Sequence, residues 1–166
     1  MTRGFVSAYC EMDLLILLDS SGSVRDRQIP NTTDNWQVTL NFVKEVIRSG
    51  SKVGRYYDRI ALILFSNTVE LKFDFNAYSS LADVLAAVDR LPYLGLTTDT
   101  PWALDLGRRV FMNDTYGSRP NATHIMLLIT DLYNEPDVDW RGRFTGNVTL
   151  LNNATDIKRF RKHTHC

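Results

Sequence analysis

Met12-Asp13-Leu14-Leu15-Ile16-Leu17-Leu18-Asp19-Ser20-Ser21-Gly22-Ser23 runs an apolar stretch straight into a carboxylate, and hydroxyls follow at alternate positions. Residues 12–19 read as a strand apolar on both faces, hence one buried between two layers. Asp19, Ser21 and Ser23 then fall on a tight turn at its carboxyl end. Open α/β sheets bind ligands in the crevice outside the carboxyl ends of their strands. Small oxygen donors gathered there suit a hard divalent cation such as Mg²⁺.

The rest of the chain alternates in the same way, which predicts a parallel-rich sheet covered by helices on both faces. Residues 20–34 read as a polar loop and 35–48 as a helix. Trp36, Leu40, Val43 and Ile47 form the stripe of that helix, and Gly50 lies just past its end. Residues 58–65 are a second buried strand. Residues 68–74 alternate, with Val69, Leu71 and Phe73 against Glu70, Lys72 and Asp74, as in a half-exposed antiparallel edge. Ser80 caps a helix carrying Leu81, Val84, Leu85 and Val88. Residues 93–99 form a loop. Thr100 reads as the cap of a helix reaching about Phe111, with Pro101 in its first position. Residues 124–130 form another buried strand, ending in Asp131. Residues 132–150 read as irregular and 152–163 as an amphipathic helix. A further strand is expected after that helix and none follows, so the sequence reads as part of a longer domain. Residues 1–11 are then a lead-in, and 12–166 one partial domain whose sheet lacks its last strands and bares an edge.

Three pieces converge on one rim of this sheet: Asp19-x-Ser21-x-Ser23, Thr98-Asp99-Thr100 and Thr130-Asp131. Ser21, Ser23 and Thr98 offer neutral hydroxyl oxygens, and Asp19 and Asp131 offer negative charge. A cation held by few direct carboxylates stays electrophilic, and an open position on it can take a carboxylate from a partner. Asp99 reads as an exposed loop acid, and Trp36 and Trp102 as core or interface packing residues.

These residues resemble the metal-ion-dependent adhesion site of von Willebrand factor type A domains, including integrin I domains. Asp19-Ser20-Ser21-Gly22-Ser23 matches the family's DxSxS motif, Thr98-Asp99-Thr100 its T-x-T segment, and Thr130-Asp131 its strand-terminal T-D. Leu132 and Pro101 stand where the family usually has glycine. The resemblance covers about residues 10 to 163. It implies a doubly wound, Rossmann-like α/β fold. It also implies direct ligation by Ser21, Ser23 and Thr98, with Asp19 and Asp131 acting through water or switching with ligand state. The ion expected is Mg²⁺, with Mn²⁺ or Ca²⁺ as substitutes. The partner expected is an extracellular protein, such as collagen or another matrix or cell-surface protein. The alternative is a structural matrix module whose metal site does not function.

Composition narrows the field. Lysine plus arginine equals aspartate plus glutamate, 19 each, so no whole-chain field favours nucleic acid or an anionic membrane. No apolar run approaches the ~20 residues that span a bilayer. Asn31, Asn113, Asn121, Asn147 and Asn153 each open an N-glycosylation acceptor triplet, where about 1.7 such triplets are expected by chance. The excess points to an extracellular protein. Cys10 and Cys166, the two cysteines, could close one large loop in an oxidising compartment or pair elsewhere. His163-x-His165-Cys166 crowds its donors too closely for a tetrahedral zinc site.

An enzyme is not expected. A phosphotransferase with Asp19 as nucleophile would want a second carboxylate two residues on, where Ser21 stands. No Walker loop or G-x-G-x-x-G is present. His124 opens a strand and the other two histidines are terminal, so no Ser-His-Asp triad has support.

Overall fold

The computed structural model describes residues 10–22, 24 and 35–130, and the backbone of 147–150. Strands β1 (Met12–Asp19), β2 (Arg59–Phe65), β3 (Val69–Phe73), β4 (Thr123–Ile129) and β5 (Asn147–Leu150) form one sheet in the order β3-β2-β1-β4-β5. All neighbours pair in parallel except β2 and β3. The helices are α1 (Asn35–Gly50), α2 (Leu81–Asp89) and α3 (Thr100–Phe111), and a 3₁₀ turn at Asp114–Tyr116 lies between α3 and β4. The α/β, mostly parallel sheet with one antiparallel edge is therefore the fold that the hydrophobic patterning predicts.

The patterning also explains the layering. Successive side chains of a strand point to opposite faces, so β1 feeds two cores. Leu14, Ile16 and Leu18 meet Trp36, Leu40, Val43 and Ile47 of α1 and Val84 and Val88 of α2. Leu15 and Leu17 meet Ala103, Leu104 and Val110 of α3 on the other side. All five of these β1 residues are fully buried, and each contributes about 1.5–3 kcal/mol by leaving water. Gly107 lets α3 approach closely: a Cβ there would lie 2.8 Å from Met126 Cε and 3.2 Å from Leu15 Cδ2.

Several expectations need correction. Residues 132–150 are not irregular throughout, because 147–150 pair in parallel with Ile125–Leu128 and cover the free side of β4. That strand escapes periodicity because Asn147-Val148-Thr149-Leu150 is too short to show a pattern. Helix α1 runs through Gly50 rather than stopping before it. Asp99, not Thr100, caps α3: its carboxylate accepts from the Trp102 backbone N–H, and Pro101 follows in the first turn. Trp102 is 60% exposed and so takes no part in the core. The expected helix at 152–163 lies outside the described residues.

The amino-terminal ends of the strands are closed by charge. Asp13 is fully buried. Arg119 donates to it from its backbone N (2.7 Å), from Nε (2.9 Å) and from Nη2 (2.6 Å). The same guanidinium reaches Glu11 Oε2 at 2.7 Å and the Met12 carbonyl at 3.1 Å. Asp58, also buried, accepts from the backbone N–H groups of Met12 and Lys52. On β3, Lys72 donates to Glu70 and lowers its carboxyl pKa. Such charges keep an edge strand solvated.

Candidate metal centre

Register decides what meets at the other end of the sheet. Asp19 stands opposite Phe65 of β2, and Leu18 opposite Ile129 of β4. Asp19 is 1% exposed. Its Oδ1 accepts from the Ser21 backbone N–H at 2.8 Å, which closes the turn. Its Oδ2 accepts from the Thr130 hydroxyl at 2.7 Å, which ties the end of β1 to the end of β4. Ser20 donates from both its backbone N and its hydroxyl to the Phe65 carbonyl, at 2.9 and 3.2 Å. Ser21 is itself 1% exposed.

The loop of residues 93–99 is stapled onto this turn. The Gly22 N–H donates to the Leu96 carbonyl at 2.8 Å, and the Gly95 N–H to the Ser20 carbonyl at 2.9 Å. The Tyr93 hydroxyl donates to the carbonyls of Ser21 and Gly22, both at 3.2 Å. Beyond Thr98, the Asp99 N–H reaches the Ser66 carbonyl at 2.7 Å. Thr98 thus lies between two anchors, one on the Asp19 turn and one on the end of β2, and its side is exposed to solvent. Leu96 holds a left-handed backbone, φ +68°, and yet is 68% exposed. That conformation is uncommon outside glycine and asparagine.

The sequence-derived site therefore divides. Asp19, Ser21 and the segment bearing Thr98 come together at the carboxyl ends of β1 and β2. Ser23 and Asp131 lie outside the described residues. The motif reading names Thr130 together with Asp131 and gives it no role of its own; its hydroxyl holds the Asp19 carboxylate. Parallel register was the signal that could have found it. Asp99 is a cap rather than a free loop acid. Among the described residues no three His, Cys, Asp or Glu side chains converge; what the rim gathers is one carboxylate, Asp19, with the hydroxyl-bearing residues Ser21 and Thr130 and the segment of Thr98. That oxygen-only set fits Mg²⁺ or another hard cation and does not fit a thiolate or imidazole metal.

Of the acceptor asparagines, Asn113 and Asn121 are exposed. Asn113 Oδ1 also accepts from the Thr115 N–H and hydroxyl of its own triplet, at 3.0 and 2.8 Å. Asn147 opens β5, while Asn31 and Asn153 lie outside the described residues, as does Cys166. Cys10 is not a free thiol. No described helix is long and apolar enough to cross a membrane.

Comparison with known proteins agrees with this fold. Residues 13–161 match the model of the von Willebrand factor type A domain. The human collagen alpha-6(VI) chain is 31% identical over 153 residues, covering 84% of this chain and 6% of the collagen chain. Bovine matrilin-1 is 30% identical over 134 residues, covering 79% of this chain and 23% of the matrilin. Human integrin alpha-X is 32% identical over 130 residues, covering 76% of this chain and 10% of the integrin. The chain thus spans less than a quarter of each of these relatives. Among solved structures, proximal thread matrix protein 1 from the mussel byssus, with a zinc-occupied MIDAS motif, superposes with a TM-score of 0.66. It is 21% identical, and the match covers 79% of this chain and 33% of that one.

Proposed function

The chain belongs to the von Willebrand factor type A domain family, and from that premise we propose an extracellular module that grips an acidic group of a matrix or cell-surface protein through a divalent cation. The supporting observation is the convergence of three separate chain segments: Thr130 on the Asp19 carboxylate, and the Thr98 loop stapled to the turn that carries Ser21. Ser21, Ser23 and Thr98 would hold the ion, with Asp19 and Asp131 lending charge through water. When bound, the ion supplies a positive site for a partner carboxylate. The protein's own part is to fix the donors. Asp19 orients Ser21 through its N–H, and the Gly22, Gly95 and Tyr93 hydrogen bonds hold the loop at fixed height. Exposed Leu96 and Trp102 flank Thr98 along the chain and would offer a partner apolar contact. The relatives that are collagen, matrilin and integrin chains support an extracellular matrix or cell-surface partner.

Titration calorimetry with Mg²⁺ and with Mn²⁺ is expected to give submillimolar affinity. Capture of matrix proteins by the chain should cease in EDTA and return on adding Mg²⁺. Capture that ignores the chelator would overturn the cation-bridged reading. One observation favours a second reading, a structural module: both Asp19 oxygens already accept hydrogen bonds from the protein, so the turn is held together by its own groups. Millimolar or weaker cation affinity would decide for it.

We also propose N-glycans at Asn113, Asn121 and the three other acceptors, and a bridge from Cys10 to Cys166. The bridge would add at most about 5 kcal/mol by constraining the unfolded chain. Intact mass of the secreted chain, before and after N-glycosidase and reduction, checks both. An unchanged mass on glycosidase treatment removes the glycans, and a free thiol at Cys166 removes the bridge.

A further inference from the structure

One exposed acceptor asparagine stands on the rim of a groove. Asn113 lines it with Leu106, Arg108, Arg109, Met112 and Tyr116, and its volume is about 360 Å³. The groove lies between the end of α3 and the 3₁₀ turn that Asn113 caps. Asn113 Oδ1 accepts from the Thr115 N–H and hydroxyl at 3.0 and 2.8 Å. Its Nδ2, the atom that an N-glycan is bonded to, has no hydrogen-bond partner among the described residues. The fold thus fixes the plane of the carboxamide through one atom and leaves the other for a sugar.

The lining is held as well. Leu106 and Tyr116 are half-buried and pack on the core beneath α3. The Tyr116 carbonyl accepts from the Phe75 N–H at 3.0 Å, which ties the turn to the chain just past β3. Met112, 72% exposed, ends α3, and Arg108 Nη1 donates to its Sδ at 3.2 Å. Arg108 and Arg109 share one carboxylate, that of Asp105. Each guanidinium carries five N–H groups, so both keep donors beyond that pairing.

We propose that, given the N-glycan at Asn113 put forward above, its first N-acetylglucosamine lies in this groove and covers Met112. A pyranose ring carries C–H groups on its faces and hydroxyl and acetamide groups around its edge. The faces match Met112, Leu106 and Tyr116, whose apolar surface then leaves water. The edge matches the spare N–H groups of Arg108 and Arg109. A free sugar would bind so open a site weakly. A sugar bonded to the rim meets it at an effective concentration of about millimolar or more. The bonds on Oδ1 already orient the linkage, which lowers the cost of ordering it.

The test follows oxidation of Met112 by hydrogen peroxide, read by peptide mass, in the full 166-residue chain secreted with high-mannose glycans. The intact glycoprotein is compared with a form trimmed by endoglycosidase H to a single N-acetylglucosamine. It is also compared with a form stripped by N-glycosidase, which leaves an aspartate, as good a cap as asparagine. Thioether oxidation follows exposure, so the intact and trimmed forms should both oxidise at Met112 at least about threefold more slowly than the stripped form. Met126, 5% exposed, should stay slow throughout and report an intact fold. Protection that vanishes on trimming would belong to a glycan sweeping over the surface and would overturn the proposal. So would equal rates in all forms with Asn113 shown by mass to be occupied. An unoccupied Asn113 would remove the glycan itself, and its seat in the groove with it.

Discussion

Arg119→Ala is expected to cost about 3–5 kcal/mol of folding stability, the usual penalty for removing one partner of a buried ion pair. Asp13 is fully buried, and Arg119 sends it two side-chain N–H groups beside its own backbone N–H. Truncation leaves a carboxylate in the sheet interior with a single donor. The Met12 carbonyl loses its guanidinium contact as well. Glu11, whose side chain is 43% exposed, should behave differently on the same guanidinium. Glu11→Ala is expected to cost less than about 1 kcal/mol, because solvent screens that pair. Urea denaturation followed by tryptophan fluorescence measures both. Equal effects from the two variants would show that burial of Asp13 does not govern this end of the fold. Replacing Asp13 and Arg119 together by leucine and methionine should recover much of the loss, since no uncompensated charge then remains.

Asp19→Asn is expected to lower Mg²⁺ affinity by about 10- to 100-fold, the range for losing a group that orients or charges a metal's direct ligands, while leaving the fold near wild type. The amide oxygen can still accept from the Ser21 N–H, and the Thr130 hydroxyl can rotate to accept from the new amide group. Asp19→Ala removes both hydrogen bonds and is expected to add about 2–4 kcal/mol of destabilisation, taking ~1–2 for each buried group left unpaired. Calorimetry and denaturation of the two variants separate charge from scaffolding. Should Asp19→Asn bind Mg²⁺ as tightly as wild type, the cation is not held at this rim.

Local pattern made most of the layering legible. The unbroken apolar run of β1 announced a strand buried on both faces. The alternation of Val69, Leu71 and Phe73 with charged residues announced an antiparallel edge, and the 4-3-4 stripe of α1 announced which face of that helix packs. The misses have physical reasons too. β5 carries four residues, too few for a period. The cap of α3 was placed one residue late because threonine before proline and aspartate before threonine are both good caps, and only the bond from Trp102 distinguishes them. At the rim, DxSxS and T-x-T could be read as motifs. The Thr130 contact could not, because it depends on which strands lie side by side. Arg119 clasps residues more than a hundred positions away along the chain, beyond any local window.

β1 is hydrogen-bonded in parallel along its whole length on both sides, and it begins two residues after Cys10. With Cys10 reduced, a pull on the chain from that end runs along the strand axis. Both ladders then resist together in shear, rather than opening one rung at a time as a peeled edge strand would. Loaded in that way, the module would carry force through its central strand and yield late.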